Sequence, residues 1–201
     1  VSMLTHEIKT PLTTLKLMTR KIAQSDAVGA QINHIDHVVD QTRMLEMMVT
    51  GSTTEREVDL QNLVLAEINR LSQTTENPAE VVFRWRGETL MQSDPVIVTT
   101  IIRNLLENAN KYRTPNTRIF LSIFDVRGYL GLRIRNHTPY PISGPAEVFE
   151  KYWRSDRVTG IRGTGLGLWI LKKICRANGY QIKCKMIDDQ FVIEVVFRTE
   201  Y

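Results

Sequence analysis

The sequence predicts a helical hairpin followed by a domain of mixed helices and strands. Apolar residues recur every three or four positions as far as Val49, a small polar stretch follows at residues 51–56, and short helical and alternating segments then succeed one another. The change of pattern after the polar stretch marks a domain boundary. The predicted domains are residues 1–54 and residues 55–201.

The first domain is predicted from two amphipathic stripes. The first stripe runs from Leu4 to Ile22 and the second from Ile32 to Val49, with the polar residues 24–29 as the turn between them. Two helices alone cannot bury both stripes well. We therefore expect a four-helix bundle built by two chains, which makes the protein a homodimer.

The second domain is predicted from alternating helical and extended segments. Helices are expected at residues 60–71, 95–112 and 166–177, a strand at 81–86, one hairpin from 118–126 and 129–135, and a closing hairpin from 180–187 and 191–197. Helices and hairpins in this order indicate an α+β layer rather than regular βαβ repeats.

The composition excludes several classes of function. The 26 basic residues alternate with 22 acidic ones to give a net charge of +4, without an aromatic and basic repeat, so nucleic acid is not an expected partner. No apolar run is long enough to span a bilayer, and the start of the chain lacks the order of a signal peptide. Cys175 and Cys184 form neither a disulfide framework nor a zinc-ligand pattern. A reducing, cytoplasmic location is expected, with no membrane contact by this part of the protein.

An exposed histidine lies near the start of the first predicted helix. His6 lies about 200° around the helix axis from Leu4, so it faces away from the apolar stripe. An imidazole nitrogen can attack phosphorus if the other nitrogen is held in the right tautomer, and the neighbouring carboxylate of Glu7 can hold it. Thr10 lies one turn further along the same face. From these residues alone, a plain surface histidine before a kink at Pro11 remains the alternative.

The helix predicted at residues 95–112 carries an unusual polar stripe. Asn104, Asn108 and Lys111 are spaced i, i+4 and i+7, opposite a run of apolar residues. Asparagine is a poor helix former, so amides kept in mid-helix indicate contacts, and a hard Mg²⁺ ion with phosphate oxygens suits them. A solvated helix face explains the same stripe equally well.

A glycine-rich segment precedes the helix predicted at residues 166–177. The backbone N–H groups of Gly163, Gly165 and Gly167, together with the helix dipole, can hold phosphate oxygens. A flexible hinge is the alternative. The segment is neither a dinucleotide fingerprint, because Leu168 stands where the third glycine is needed, nor a P-loop, because it has no Gly-Lys-Ser/Thr.

Four segments together resemble the signature motifs of sensor histidine kinases. Residues 3–12 resemble the phosphoacceptor box, residues 104–112 the asparagine box, residues 148–154 the phenylalanine box and residues 163–168 the second glycine box. The resemblance covers nearly the whole chain. It implies an α-helical hairpin that forms a dimeric four-helix bundle, followed by an α/β sandwich ATP-binding domain of the gyrase, Hsp90, histidine kinase and MutL type.

The resemblance implies a function in two-component signalling. The protein would use ATP and Mg²⁺ to phosphorylate His6, with Glu7 as the general base that orients it. The phosphoryl group would then pass to an aspartate of a response regulator. Thr10 would position water when the protein acts as a phosphatase on that regulator.

The resemblance also implies the nucleotide site. Asn108 would ligate Mg²⁺, Asn104 and Lys111 would contact phosphates, and Tyr112 would line the pocket. Residues 155–162 would form a short polar lid, in which Arg162 is as readily a solvated residue as a phosphate ligand. The implied ATP-binding residues are Asn104, Asn108, Lys111, Tyr112, Asn136, Arg154, Gly163, Gly165, Leu166, Gly167 and Leu168.

The segment of residues 135–144 departs from the pattern of this family. Asn136 stands where most relatives carry an aspartate that receives the adenine ring, and its side-chain oxygen can still accept a hydrogen bond from the adenine amino group. Thr138 and Tyr140 replace small residues, which narrows the approach of a ligand to the backbone. His137 is interpreted as a loop residue, and Trp153 and Trp169 as packing residues.

Two other functions remain open on the sequence. The divergent adenine segment is compatible with an impaired pseudokinase or a scaffold that binds the regulator without catalysis. A gyrase-like ATPase that drives a conformational clamp has no obvious use for the motif around His6. Only five residues precede His6, so the chain is expected to be a fragment of a larger sensor, and whether that sensor has membrane helices is left open.

Overall fold

The computed structural model describes residues 54–126, 128–140, 142, 144–155 and 165–197. All of them belong to the second of two units into which the chain divides, Thr53–Tyr201. The predicted helical hairpin of residues 1–54 lies outside these ranges except for its last residue. The dimeric bundle and the boundary at residue 54 therefore stay predictions.

The second unit alternates strands and helices along the chain. The elements are β1 Arg56–Asp59, α1 Leu60–Thr74, β2 Val81–Arg84, β3 Leu90–Ser93, α2 Pro95–Tyr112, β4 Ile119–Val126, β5 Tyr129–His137, a 3-10 turn Glu147–Phe149, α3 Gly167–Ala177, β6 Gln181–Ile187 and β7 Gln190–Val196. An aspartate caps the N-terminus of each of the two long helices. Asp59 accepts from the first N–H groups of α1, and Asp94 does the same for α2, where Pro95 fits the first turn.

The strands form two sheets. The larger sheet has the order β2-β4-β5-β7-β6, with β2 parallel to β4 and every other pair antiparallel. β1 and β3 pair antiparallel in a separate two-stranded sheet. The parallel pair needs a crossover, and α2 lies within the connection from β2 to β4.

The core lies between the larger sheet and the helices. Successive side chains of a strand point to opposite faces of the sheet. On one face, Ile119, Leu121 and Ile123 of β4 are buried together with the apolar faces of α2 and α3. On the opposite face of the sheet, the guanidinium groups of Arg133 and Arg135 lie over the rings of Phe124 and Phe120. This is a layer of helices on one face of a sheet, which confirms the predicted α+β class.

Some boundaries differ from the prediction. β1 and β3 were not predicted, and Arg56, which was placed in the linker, is the first residue of β1. Each of these strands has only four residues and is held by its partner 30 or more positions away, so no local pattern marks it. β5 continues to His137, which makes this histidine a strand residue rather than a loop residue. Trp153 and Trp169 are both half-buried, as expected for packing residues.

Candidate functional site

The two asparagine amides in the polar stripe of α2 differ in their hydrogen bonding. Asn104 is buried, and its Nδ2 atom donates to the Thr100 carbonyl at 2.9 Å, within the helix. Asn108 is half-buried, and its side chain makes no hydrogen bond within the described residues. Amide groups at this depth are normally hydrogen-bonded. Within the described residues, the donor and the acceptor of Asn108 are therefore available to water or to a ligand.

The start of α3 lies beside this amide. A Cβ atom built on Gly167 would lie 3.8 Å from Nδ2 of Asn108. The helix begins after Leu166, whose apolar side chain makes no capping hydrogen bond. The first N–H groups of a helix point out of its N-terminal end along the axis, without acceptors inside the helix, and attract anions. Leu166 and Leu168 flank Gly167 and are half-buried. The asparagine box and the glycine box thus meet at a position suited to phosphate.

Gly165 joins the glycine box to the phenylalanine box. Its φ angle is +71°, and a Cβ atom there would lie 2.7 Å from the carbonyl carbon of Tyr152 and 2.8 Å from the oxygen of Trp153. Both the conformation and the close approach require glycine. Tyr152 N donates to the Gly165 carbonyl at 3.2 Å, so a backbone hydrogen bond joins these two residues.

Two cations of the site lie close enough to repel each other. The pKa of Lys111 is lowered, first because the surrounding protein desolvates its ammonium group and second because of the charge of Arg154, while Glu107 acts in the opposite direction. Within the described residues, Lys111 forms no ion pair with a carboxylate. Its Nζ atom lies 5.3 Å from the ring centroid of Tyr112. A bound anion would relieve the repulsion between these cations.

Two tyrosines connect α2 to the segment that follows β5. The rings of Tyr112 and Tyr140 meet edge to face, with centroids 6.4 Å apart. Burial raises the pKa of Tyr112, and the charge of Arg154 partly opposes this. Tyr140 is held in turn, because its N–H donates to Oγ1 of the buried Thr138 at 3.3 Å. The larger residues at positions 138 and 140 thus form a fixed aromatic wall beside α2.

Asn136 lies at the end of β5 with its side chain almost fully buried. The residue is 2% exposed, and its Nδ2 atom donates to the His137 carbonyl at 3.2 Å. Within the described part of the chain, its Oδ1 atom accepts no hydrogen bond. An amide oxygen without a protein donor can accept a hydrogen bond from water or from a ligand.

His137 is a residue of this region that sequence reasoning missed. Its Nδ1 atom lies 2.8 Å from Asp189 Oδ2, and its Nε2 atom lies 3.0 Å from Nε2 of Gln190. The hydrogen bond to His137 lowers the pKa of Asp189. Nothing in the sequence indicates this pair, because it depends on the pairing of β5 with β7.

The structure brings most of the predicted nucleotide site together. Asn108, Lys111 and Tyr112 lie along α2, Gly167 packs beside Asn108, and the charge of Arg154 acts on Lys111. His6, Glu7, Thr10, Arg162 and Gly163 lie outside the described residues. The roles of all these residues stay predictions.

The comparisons with known proteins decide the family. Residues 93–198, just over half of the chain, match the model of the histidine kinase-, DNA gyrase B-, and HSP90-like ATPase family. The chain belongs to this ATPase family. The matched residues include α2, α3 and the larger sheet except β2, and therefore every part of the site described above.

Two sequence relatives of this family member are named as a sensor histidine kinase and a sensor protein. The sensor histidine kinase HprS of Escherichia coli is 25% identical over 189 residues, covering 88% of this chain and 42% of that protein. The sensor protein RprX of Bacteroides fragilis is 28% identical over 215 residues, covering 92% of this chain and 40% of that protein. The chain thus spans less than half the length of these two relatives.

A solved structure supports the fold. The mycobacterial sensor histidine kinase MprB matches with a TM-score of 0.63 at 21% identity, covering 71% of this chain and 97% of that chain. In the described ranges, no helix is long and apolar enough to cross a membrane. The same ranges hold no group of three His, Cys, Asp or Glu side chains that could bind a metal ion.

Proposed function

We propose that the chain is the catalytic part of a protein histidine kinase of two-component signalling, which phosphorylates His6 from ATP. The observation that carries the proposal is the meeting of the Asn108 amide, the start of α3 and the cations Lys111 and Arg154. These groups can bind a polyphosphate. The named relatives are sensor kinases, and no comparison favours the impaired pseudokinase.

In the proposed complex, ATP lies between α2 and the lid. The open oxygen of Asn136 accepts from the adenine amino group, and Tyr112 lines the base pocket. Asn104 and Lys111 contact the phosphates, which also bind the N–H groups near Gly165, Leu166, Gly167 and Leu168, with Gly163 preceding them. Lys111 and Arg154 offset the negative charge that phosphoryl transfer must stabilise.

The residues present fit a Mg²⁺ ion. In the part of the chain that the structure describes, the side-chain oxygen of Asn108 accepts no hydrogen bond. Amide oxygens are hard ligands that this ion accepts together with phosphate oxygens and water. When bound, the ion would offset charge on the phosphate oxygens. No carboxylate cluster in the described ranges competes for this role.

The proposed reaction is an in-line displacement at the γ-phosphorus. One imidazole nitrogen of His6 forms the new N–P bond, the bond from phosphorus to the bridging oxygen breaks, and ADP leaves. Glu7 holds the proton on the other ring nitrogen. An aspartate of a response regulator then takes the phosphoryl group from His6, which regenerates the free histidine.

The partners follow from the same proposal. Residues 1–54 form the dimeric four-helix bundle and present His6 to the receiver domain of the regulator. Thr10 positions water when the regulator is dephosphorylated. The protein acts in the cytoplasm as part of a larger sensor, without nucleic acid.

The test is incubation of the chain with γ-labelled ATP and Mg²⁺. Acid-labile, base-stable label is expected on the wild type and is expected to be absent from His6→Ala and Asn108→Ala. ATP hydrolysis without label on His6 would instead indicate the gyrase-like clamp. Retained nucleotide on an unlabelled wild type that contains a complete bundle would contradict the kinase proposal.

A further inference from the structure

Glu107 lies one helical turn before Lys111 on α2. Residues at positions i and i+4 of a helix are neighbours, and a glutamate that precedes a lysine at this spacing favours an ion pair. Desolvation and then the charge of Arg154 lower the pKa of Lys111, and the charge of Glu107 opposes them, so Glu107 acts on Lys111 in the folded protein. Glu107 is therefore a carboxylate that can compete with phosphate for Lys111.

Glu107 pairs with a different cation in the structure. Its Oε1 atom accepts from Nη2 of Arg70 on α1 at 2.7 Å. Nearly half of the Glu107 side chain is exposed, so packing alone does not fix its position. Within the described residues, Lys111 forms no ion pair with a carboxylate. The hydrogen bond from Arg70 thus holds Glu107 in an arrangement that leaves Lys111 available to an anion.

Arg70 is itself fixed by a second hydrogen bond. Its Nε atom donates to the buried carboxylate of Glu67 at 2.6 Å, while Nη2 of the same guanidinium group donates to Glu107. The N–H groups of a guanidinium are planar and point in fixed directions, so holding one of them also directs another. Arg70 is therefore a preorganised bridge from Glu67 to the carboxylate beside Lys111.

We infer that Arg70 is a positioning residue for phosphate binding, because it holds Glu107 and thereby keeps Lys111 available to the nucleotide. The inference rests on the proposed binding of phosphate by Lys111. Without Arg70, Glu107 pairs with Lys111, and ATP has to displace this pair before it can bind. Lys111 is partly desolvated, so we expect a cost at the upper end of the range for exposed ion pairs, which weakens ATP binding about threefold to fivefold.

The test is a double-mutant cycle between Arg70 and Glu107. Calorimetry gives the dissociation constant of ATP with Mg²⁺ for the wild type, Arg70→Gln, Glu107→Gln and the double variant. Arg70→Gln is expected to weaken binding about threefold to fivefold, and adding Glu107→Gln is expected to remove this loss. Glu107→Gln alone should have a smaller effect, since Arg70 already holds that carboxylate. The long-range effect of losing one charge is common to both backgrounds and cancels in the cycle.

Arg70→Lys tests the position of the hydrogen bond without a change of charge. The new ammonium group is expected to stay on the buried Glu67 carboxylate and to release Glu107, so ATP affinity should fall about as far as in Arg70→Gln. In a Lys111→Gln background the same substitution should change ATP affinity by less than about 1.5-fold, because no lysine remains for Glu107 to bind. Arg70→Lys also keeps the cycle informative if Arg70→Gln does not fold.

Arg103→Gln is the matched control for the stability of the network. It removes a guanidinium group from the same Glu67 carboxylate and leaves Arg70 beside Glu107, so ATP affinity should stay within about 1.5-fold of the wild type. Equal losses of affinity in Arg103→Gln and Arg70→Gln, or additive effects of Arg70→Gln and Glu107→Gln, would overturn the inference while leaving the proposed function intact. If the wild type bound no nucleotide at all, the proposed function would fail together with the inference.

Discussion

The charged groups on two sides of α2 are arranged in opposite ways: opposite charges are paired on one side, and like charges lie close together on the other. On the side that faces α1, the buried carboxylate of Glu67 receives Arg103 Nε at 3.1 Å, Arg103 NH2 at 2.9 Å and Arg70 Nε at 2.6 Å. Arg70 NH2 also reaches Glu107 at 2.7 Å. On the other side, Lys111 and Arg154 act on each other as like charges, and the Asn108 amide has no protein partner within the described residues.

The comparison separates stability from function along one helix. Where α2 packs on α1, two carboxylates and two guanidinium groups offset each other, so this side fixes the position of the helix. Where α2 faces the start of α3, like charges lie close together and the Asn108 amide makes no hydrogen bond within the described residues, which costs stability and supports the binding of a ligand. If this is correct, variants on the two sides should change different measurements.

The largest expected effect comes from Asn108 and is functional. Asn108→Ala is expected to reduce labelling of His6 by about 100-fold or more, because a metal or phosphate contact of the reacting state is lost. The free energy of unfolding should change by less than about 0.5 kcal/mol, since the side chain makes no hydrogen bond within the described residues. Labelling assays and urea unfolding measure the two quantities.

Asn110 is the matched control on the same helix. Its Oδ1 atom accepts from Ala79 N at 2.8 Å, so this amide is used inside the protein. Asn110→Ala should lower the free energy of unfolding by about 1 kcal/mol and leave labelling within about threefold of the wild type. If both variants lost stability and activity in parallel, the division between the two sides of α2 would be wrong.

The next effect is on stability and comes from Glu67. Glu67→Ala leaves two guanidinium groups without their shared carboxylate. We expect a loss of about 2 to 3 kcal/mol in the free energy of unfolding, below the range for fully buried pairs because Arg70 and Arg103 are partly exposed. Glu80→Ala removes a pair with Arg118 that is exposed on both sides and should cost less than about 1 kcal/mol. Equal losses in urea unfolding would show that the network adds nothing beyond a surface pair.

The third prediction concerns Lys111, where function and stability should move in opposite directions. Lys111→Gln removes a cation that binds phosphate, so ATP affinity measured by calorimetry should fall about tenfold. The lowered pKa of Lys111 means that the folded protein disfavours the charged form, so this substitution should leave the midpoint of thermal unfolding unchanged or raise it. A lower midpoint with unchanged affinity would make Lys111 a structural residue.

Particular residues show how far the sequence predicted this molecule. α2 was predicted from Pro95 to Tyr112, as observed, because an initiating proline and a long apolar period are local signals. The meeting of Asn108 with Gly167 was expected only through resemblance, since 59 positions of chain separate them and no local rule brings them together. β1 and β3 were missed for the same reason.

For Glu67, the sequence contained a signal for a buried ion pair, and the prediction overlooked it. The buried residues of α1 are Leu60, Val64, Glu67 and Leu71, so a carboxylate occupies a position of the apolar stripe. A charged residue at such a position is expected to find partners of opposite charge. The sequence could not say which arginines these are, since Arg103 lies 36 positions away.

The smallest expected effect is the pH dependence of the Glu67 network. Burial alone raises the pKa of Glu67, but hydrogen bonds from Arg103 and Arg70 outweigh it and hold the pKa below its ordinary value of 4.5. A lowered pKa of an acid means that the folded state favours the carboxylate, so the stabilisation is full above the pKa of the unfolded chain. It is lost as the pH falls through the lower pKa of the folded protein.

Glu67→Gln isolates this dependence, because it keeps the shape of the side chain and removes the ionisation. At pH 7 the wild type should be more stable than Glu67→Gln by about 1 to 2 kcal/mol. Below pH 4.5 the difference should shrink. Glu194, whose pKa is also lowered, is common to both proteins and cancels in the comparison. Urea unfolding at a series of pH values between 7 and 3 measures the difference, and a constant difference would show that the network does not depend on the charge of Glu67.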